Sequence, residues 1–328
     1  MLKHGNSQPT PPGRVVILGA KGFLATHLRG RLEAHAVPAL CVGSDEVDLT
    51  RPESAVRLAG VLAAGDSVVM TSVLTPEKGR DYRTFMLNVQ MADTVCRALE
   101  RGGCAHFVYL SSDAVYDAHQ TPLDEDSTRE PVDLYALTHT SREMLLGSVL
   151  TQREIPHCFL RPTAIYGPGD THGNYGPNRF VRSAVEEGRI VLYGRGEERR
   201  SHVYVDDAVA LIEAAILRRS EGTLNIAARP AVSYRDVAMA VARVCRSPVA
   251  IEYRPRTVKA VHRPYKPTQV FRFLYNLGRR IGPIVHRPYS VAAVRSAFPE
   301  FRYTALEAGL RATVEAALER QARAGTSP

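Results

Sequence analysis

The chain is predicted to be an α/β protein, with a doubly wound parallel sheet and a smaller, mixed α/β lobe at its C-terminal end. Short apolar runs alternate with longer amphipathic segments through the first half of its 328 residues. That alternation is typical of parallel strands covered by helices on both faces. A glycine-containing loop, G-A-K-G-F-L-A, joins the first run to the first amphipathic segment, which makes the fold Rossmann-type.

The elements follow one another in a regular order. The predicted strands of the first half are R-V-V-I-L-G, A-L-C-V-G, S-V-V-M-T, H-F-V-Y-L-S and H-C-F-L-R-P, with helices at A-K-G-F-L-A-T-H-L-R-G-R-L, Tyr82–Arg101 and Leu134–Gln152. After Pro162 come loops rich in Gly, Pro and Asn, and shorter elements. These are a helix at Arg179–Glu187, strands I-V-L-Y and H-V-Y-V, a helix at Asp206–Arg218, the strand T-L-N-I-A and a helix in V-S-Y-R-D-V-A-M-A-V-A-R-V.

Three parts are therefore expected. Residues 1–13 are polar and Pro-rich and predict a disordered tail. Residues 14–165 form the dinucleotide-binding Rossmann domain, with a later contribution from about 200–228. Residues 166–328 form the substrate-binding lobe, which includes the basic segment 253–299.

Composition narrows the functional classes. The five cysteines are scattered without C-x-x-C spacing, so neither a disulfide framework nor a metal site is expected, and a reducing cytoplasm is favoured. The polar N-terminal residues predict no targeting peptide. No apolar run of about 18 residues occurs in the sequence, so no membrane span is expected.

The net charge of +8 is localised rather than general. Residues 253–299 hold ten Lys or Arg and no Asp or Glu. Because the positive charge is confined to this segment, the net charge does not predict a nucleic-acid partner. This basic segment could face a phosphate-bearing ligand, an acidic partner or an anionic membrane surface. Within it, residues 254–287 contain T-Q-V-F-R-F-L-Y-N-L-G-R-R-I, which predicts an amphipathic basic helix. Packing of this helix on the lobe is favoured over covering the substrate pocket or contact with a membrane surface.

The glycine loop predicts where a cofactor lies. Gly19 allows the tight turn, and Gly22 lets the helix N-terminus approach a pyrophosphate. The choice between NAD and NADP stays open, because Lys21 could neutralise an extra phosphate while Asp45 could hold a ribose hydroxyl. The predicted cofactor contacts in this part of the chain are Gly19, Lys21, Gly22, Phe23, Leu24, Ser44, Asp45, Asp48 and Leu49, the last two facing the adenine.

The ordered motifs resemble the extended short-chain dehydrogenase/reductase family, the NAD-dependent epimerases and dehydratases that modify sugar nucleotides. The matching pieces are G-A-K-G-F-L-A, D-L-T, L-N-V, Y-L-S-S-D-A-V-Y, Tyr135, L-R-P-T-A-I-Y-G-P-G, R-S-H-V-Y-V-D-D-A-V and L-N-I-A. They run from about residue 14 to 246, and their shared order is more specific than any one piece.

The resemblance implies roles for individual residues. It adds cofactor contacts at Thr71, Ser72, Asn88, Tyr135, His139 and Pro162. Ser112 matches the hydroxyl that bonds the reacting sugar oxygen, and Tyr135 matches the general acid or base. Arg200 matches the arginine that clamps a nucleotide diphosphate, and Asn174 and Asn178 lie where polar substrate contacts are usual. The resemblance also implies a nucleotide-sugar substrate and a homodimer formed by the helices near 82–101 and 134–152.

The sequence departs from the family at one catalytic position. The family has a lysine four residues after the tyrosine, and here that residue is His139. An isolated tyrosine titrates near pH 10, and the lysine's positive charge helps to lower that pKa. Three interpretations remain open: His139 is a working substitute that is protonated when NAD(P)⁺ is absent, the enzyme is slow or favours reduction, or the chain binds dinucleotide without catalysis.

The residues after Ser112 bear on the reaction. The 4,6-dehydratases of the family carry an Asp-Glu pair there, whereas this chain has Asp113 followed by Ala114, which disfavours dehydration. A sugar-nucleotide epimerase or a 4-keto reductase is therefore predicted, with Asp113 as a further catalytic candidate. An oxidoreductase of an apolar, non-sugar alcohol or ketone remains the alternative substrate class.

Overall fold

The computed structural model describes residues 2–116, 121–170, 176–228, 230–255 and 286–325. Its strands are β1 (Lys3–His4), β2 (Val15–Leu18), β3 (Ala39–Val42), β4 (Ser67–Met70), β5 (His106–Leu110), β6 (His157–Pro162), β7 (Ala164–Tyr166), β8 (Arg189–Tyr193), β9 (Arg199–Arg200), β10 (His202–Tyr204), β11 (Ser220–Ile226), β12 (Val232–Ser233) and β13 (Ala250–Arg254). Its helices are α1 (Phe23–Ala34), α2 (Ser54–Val61), α3 (Tyr82–Gly102), α4 (Leu134–Gln152), α5 (Gly176–Glu187), α6 (Val205–Leu217), α7 (Tyr234–Val244), α8 (Ala292–Ala297) and α9 (Leu306–Gly325).

A seven-stranded sheet organises the first domain, in the order β1-β11-β6-β5-β4-β2-β3. All of its pairs are parallel except β1 with β11. Consecutive residues of a strand face opposite sides of the sheet. In β2, for example, Val15 and Ile17 join one apolar core while Val16 and Leu18 join the other. The predicted doubly wound α/β fold is confirmed.

Helices cover both faces of this sheet. On one face α1 and α6 contribute Leu28 and Leu211 to the core. On the other face α2, α3 and α4 contribute Leu58, Val95 and Leu146. Burying apolar strands on both faces is what an all-parallel sheet requires.

The N-terminal residues differ from the prediction of a disordered tail. Lys3 and His4 pair with Glu221 and Ser220, so β1 closes the β11 edge of the sheet. The His4 ring lies 2.8 Å from Ser220 Oγ and 2.9 Å from the Ala297 carbonyl oxygen. These backbone and ring contacts, which a polar and Pro-rich composition does not reveal, order the segment.

The second lobe is a mixed α/β layer with its own core. Short two-stranded ladders, β7–β10, β9–β12 and β8–β13, support α5, α7 and α9 around buried residues such as Phe180, Ile190, Val241 and Leu310. The C-terminal boundary needs a correction, because Val294 of α8 and Phe298 belong to the core of the first domain. The chain therefore returns to the first domain in the last part of the basic segment.

Most of the basic segment, residues 256–285, lies outside the described residues, and with it the amphipathic helix predicted in T-Q-V-F-R-F-L-Y-N-L-G-R-R-I. Across the ranges that are described, we find no helix with the length and apolar character needed to cross a membrane. The same ranges contain no cluster of His, Cys, Asp or Glu arranged to hold a metal ion.

Candidate active site

The glycine loop lies at the carboxyl end of β2 and is shaped by close backbone approach. Gly19 has φ +107°, and a Cβ there would lie 2.8 Å from Thr71 Oγ1 and 2.9 Å from the Ser72 nitrogen. Gly22 is the N-cap of α1, and no side chain caps this helix end. Free N–H groups at a helix N-terminus, reached over glycines, suit a pyrophosphate. Gly19, Gly22, Phe23 and Leu24 are thus brought together as the dinucleotide site requires.

The two residues expected to distinguish NAD from NADP bind each other. Lys21 Nζ donates to the Asp45 carboxylate, and their side chains are 76% and 73% exposed. The cation is therefore balanced by the acid. The choice between NAD and NADP stays open, and the contacts of both residues with the cofactor stay predictions.

Asp48 and Leu49 form the turn after β3. The Asp48 carboxylate accepts hydrogen bonds from Thr50 N at 3.0 Å and Thr50 Oγ1 at 2.6 Å, and these bonds lower the pKa of Asp48. Leu49 is buried. Asp48 therefore shapes its own turn, and its contact with the cofactor stays a prediction.

Tyr135 occupies the first turn of α4, at a cavity of about 110 Å³ lined also by Leu74, Asp81 and Thr138. The Asp133 side chain accepts from the Ala136 N–H and begins the helix. Asn88 of α3 fixes the facing loop, because its amide accepts from Leu74 N at 2.8 Å and donates to Leu74 O at 3.0 Å. Its role is thus to hold the wall of the cavity in which Tyr135 lies.

His139 is one turn further along α4 and is buried, 1% exposed. Its ring meets that of Tyr135 edge-on at 4.8 Å, and its Nδ1 is hydrogen-bonded to Tyr109 Oη at 2.8 Å. Burial, and then the positive charge of Arg142, lower the pKa of His139 to about 3. His139 is therefore neutral near pH 7. Burial thus disfavours the interpretation in which His139 is protonated in the absence of cofactor, and the part that His139 plays in catalysis stays a prediction.

Arg142 is a residue that sequence reasoning missed. It is fully buried at 0% exposure, and its Nη2 donates to the Ser72 carbonyl oxygen at 2.8 Å. The guanidinium lies 5.1 Å from the Tyr109 ring centroid. The only signal in the sequence is its position, seven residues after Tyr135 and so on the same helix face. A surface arginine has the same spacing, so spacing alone does not reveal the burial.

The next residue, Glu143, ties α4 to the sheet through a buried ion pair. Its Oε1 accepts from Arg161 Nε at 2.8 Å, and its Oε2 accepts from Arg161 Nη2 at 2.7 Å. Ser111 Oγ donates to Oε1 at 2.6 Å. Arg161 Nη1 also donates to Tyr116 Oη at 2.7 Å. This two-pronged pairing fixes the orientation of the helix that carries Tyr135.

Ser112 and Asp113 follow β5, and a short 3₁₀ turn, Asp113–Val115, follows Ser112 and packs near α4. Ser112 Oγ accepts from Ala114 N at 3.2 Å. The Asp113 carboxylate accepts from Tyr289 Oη at 2.7 Å, and its carbonyl oxygen accepts from Arg287 at 2.9 Å. These contacts give Asp113 a bracing role towards the C-terminal segment, which the local sequence did not indicate. Its catalytic role stays a prediction.

Arg200 lies in the second lobe, where its Nε donates to Glu198 Oε1 at 2.7 Å. An isolated bridge pairs it with Arg287, so two guanidinium side chains come from neighbouring backbone segments. Behind Arg200, His202 is buried with neither ring nitrogen hydrogen-bonded. The convergence of Arg200 and Arg287 was not predicted, because 87 residues separate them in the sequence.

The structure describes only one of the two asparagines that are predicted to contact the substrate. Asn178 is buried, and its amide accepts from Gly167 N at 3.1 Å and donates to Asp170. It lines a larger cavity of about 260 Å³ between α5 and α9, which Tyr135 does not line. Asn178 is thus engaged in holding the turn after β7, while Asn174 lies outside the described residues. Substrate contacts for both stay predictions.

Comparison with known proteins decides the family. A model of the NAD dependent epimerase/dehydratase family matches residues 15–227, well over half of the chain. The chain belongs to this family. A UDP-glucose 4-epimerase of Mycolicibacterium smegmatis is 25% identical over 272 residues, covering 74% of this chain and 86% of the relative. An N-acetyl-alpha-D-glucosaminyl-diphospho-ditrans,octacis-undecaprenol 4-epimerase of Escherichia coli O157:H7 is 23% identical, covering 86% and 83%.

Solved structures of other proteins share the fold of this chain. RMD from Pseudomonas aeruginosa complexed with NADPH superposes with a TM-score of 0.76 at 20% identity, covering 94% of this chain and all of that one. A Thermus thermophilus UDP-glucose 4-epimerase in complex with NAD gives a TM-score of 0.73 at 20% identity, covering 93% and 98%. The family's enzymes are NAD(P)-dependent oxidoreductases and isomerases, so the expected cofactor, NAD or NADP, agrees with both comparisons.

The site itself fits a dinucleotide. The cradle around Gly19 excludes any side chain, α1 presents an uncapped N-terminus, and Ser72 Oγ is buried without a hydrogen-bond partner beside that cradle. His139 Nε2 is likewise buried without a partner, next to Tyr135. A polar ligand would satisfy atoms that otherwise stay unpaired.

Proposed function

We propose that the protein is an NAD(P)-dependent sugar-nucleotide epimerase or 4-keto reductase that uses Tyr135. The observation that carries the proposal is the placement of Tyr135 at a cavity beside the loop that follows β4, whose first residues, Thr71 and Ser72, also touch the glycine cradle. A phenol and a dinucleotide cradle at one edge of the sheet are the parts that hydride chemistry at a hydroxyl-bearing carbon needs.

Each side chain has a distinct task in this reaction. The cofactor, when bound, takes up or returns hydride. Tyr135 moves the proton of the reacting hydroxyl, and Ser112, at the end of the neighbouring strand, hydrogen-bonds the same oxygen. Arg200 and Arg287 pair with the diphosphate of the substrate, for which a fork-shaped guanidinium is suited.

The carboxylates argue for epimerisation or reduction rather than dehydration. Asp113 is held by Tyr289 and Arg287, and the next residue is Ala114. Elimination of water needs an acid and a base at the substrate. With one carboxylate braced and the second replaced by a methyl group, this turn offers no such pair.

A homodimer through α3 and α4 is part of the proposal. These two helices pack on each other and leave large apolar side chains exposed: Tyr82 (64%), Met86 (55%) and Leu87 (41%) on α3, and Met144 (66%) and Leu145 (39%) on α4. An exposed apolar patch of this kind is typical of an interaction surface. A second copy of the chain would cover it with the same face.

The deciding experiment is turnover with a panel of UDP-, GDP- and dTDP-sugars, with NAD⁺ or NADPH supplied, followed by NMR of the sugar C4 position or by NADPH absorbance. We expect conversion of at least one sugar nucleotide, and a loss of at least about 100-fold in Tyr135→Phe, since general acid–base catalysis contributes about 10²–10⁴-fold. Tight dinucleotide binding with no conversion of any sugar would contradict the proposal and would assign the chain a binding role instead.

A further inference from the structure

Arg142 carries a buried positive charge with no acidic partner among the residues described. Its side chain is fully buried, and only Nη2 is hydrogen-bonded, to Ser72 O at 2.8 Å and, weakly, to Met70 Sδ at 3.5 Å. Nε and Nη1 have no partner. A buried cation is costly unless it is paired, so a retained one calls for a functional reason.

The groups around Arg142 form a continuous path to Tyr135. The guanidinium lies 5.1 Å from the Tyr109 ring centroid. Tyr109 Oη is hydrogen-bonded to His139 Nδ1 at 2.8 Å, and the His139 ring meets the Tyr135 ring at 4.8 Å. All of these groups except Tyr135 are buried, so water screens the charge of Arg142 weakly along this path.

Most ionisable groups near Tyr135 are already committed. Asp133 and Asp81 cap the starts of α4 and α3 by accepting backbone N–H bonds. Glu143 is paired with Arg161 of β6. Asp113 accepts from Tyr289, and Arg80 lines the cavity rather than the buried path.

Two phenols then remain close to the charge of Arg142. Complete burial raises the pKa of Tyr109 to about 12, so Tyr109 stays protonated near neutral pH. His139 stays neutral at the same pH. Tyr135, half-buried at the cavity, is the group that the cation can help to ionise.

We propose that Arg142 is a positioning residue that supplies positive charge to Tyr135 from inside the protein, acting through Tyr109 and His139. This inference rests on the proposed function, in which Tyr135 is the acid or base. Seven residues of helix place Arg142 two turns along the same face, and its side chain leans back towards the helix N-terminus. At a separation of roughly 10 Å and an effective dielectric constant of about 20, one charge shifts a pKa by about one unit.

The test measures the ionisation of Tyr135 directly, without substrate. Tyrosinate absorbance is titrated against pH in each protein and in its Tyr135→Phe counterpart, and the difference isolates Tyr135. Arg142→Gln keeps a donor for Ser72 O but removes the charge, and it should raise the pKa of Tyr135 by about one unit. Arg142→Lys keeps the charge and should leave that pKa close to the value of the unchanged protein.

A rescue variant separates charge from packing. In Arg142→Gln/His139→Lys a new cation lies one turn from Tyr135, and the pKa should return to the unchanged value or below it. Equal pKa values in Arg142→Gln and the unchanged protein would overturn the inference, as would a shift that Arg142→Lys shares. Should Arg142→Gln fail to fold, Arg142→Met, whose unbranched side chain fills the same space without charge, provides the same comparison.

The titration and the sugar-nucleotide turnover can fail separately. A shifted pKa together with no turnover would remove the proposed function and keep the electrostatic role of Arg142. Turnover with an unshifted pKa would keep the proposed function and remove the electrostatic role of Arg142.

Discussion

Two adjacent residues of α4, Arg142 and Glu143, are both buried charges, yet their surroundings are opposite. Glu143 faces β5 and β6, where Arg161, Ser111 and Arg129 satisfy its carboxylate. Arg142 faces β4 and β5, where two of its three nitrogens have no partner. The comparison teaches that Glu143 secures the position of the helix, while Arg142 keeps a charge without an acidic partner among the described residues, which we propose acts on Tyr135.

The largest expected effect is a loss of stability when the carboxylate of Glu143, which pairs with Arg161, is removed. Glu143→Gln leaves Arg161 buried without its counter-charge, so the free energy of unfolding should fall by about 3–5 kcal/mol. Urea denaturation followed by circular dichroism measures this loss. Glu130→Gln, an exposed carboxylate in the loop before α4, is the control and should change stability by less than about 0.5 kcal/mol. A loss below about 1 kcal/mol for Glu143→Gln would show that this carboxylate does not secure the helix.

His202 is a second buried group whose ring nitrogens have no hydrogen-bond partner, and it should make the stability of the folded protein depend on pH. Burial lowers the pKa of His202 from 6.5 to about 3, so the unfolded chain binds a proton that the folded protein does not between these values. Stability is therefore lost as pH falls below about 6.5, by about 2 kcal/mol between pH 7 and pH 5 for this residue.

His202→Phe removes that loss and fills the same space with a side chain that needs no hydrogen bond. Thermal unfolding at pH 7 and pH 5 should show a smaller drop in Tm for the variant than for the unchanged protein. Parallel pH dependences in the two proteins would mean that His202 is not buried in the neutral form.

The smallest effect concerns an exposed pair. Asp45→Asn frees Lys21 from its partner, so the affinity for NADP⁺ relative to NAD⁺ should rise by a few-fold, in keeping with the fraction of a kcal/mol that an exposed ion pair contributes. Fluorescence titration with each cofactor measures the ratio. A shift towards NAD⁺ would contradict the predicted placement of this pair beside the ribose.

Sequence features within a few residues of each other predict the glycine loop and the start of α4. Gly19 is required by a backbone conformation and a close contact, and a capping residue marks the helix that begins at Leu134. Such features leave signals within a few residues, so the fold and the position of Tyr135 were predictable from the sequence.

The electrostatics of the site depend on distant partners and were not predictable in the same way. Asp113 meets Tyr289, 176 residues later, and the charge of Arg142 matters only because no acid lies beside it among the described residues. The disordered-tail prediction was wrong for a related reason, since His4 is ordered by Ser220 and Ala297. Pairings over such distances are made by the tertiary fold, and composition does not record them.

The most direct test of the central claim is the kcat of Arg142→Gln at pH 7 with the sugar nucleotide that the native protein converts, measured beside Arg142→Gln/His139→Lys. A rise of about one unit in the pKa of Tyr135 lowers the fraction ionised, so kcat for the oxidation of the substrate hydroxyl, in which Tyr135 acts as the base, should fall about tenfold in the single variant and recover in the double variant. An unchanged kcat in Arg142→Gln, or a loss that His139→Lys does not restore, would contradict the claim that Arg142 supplies the charge for Tyr135.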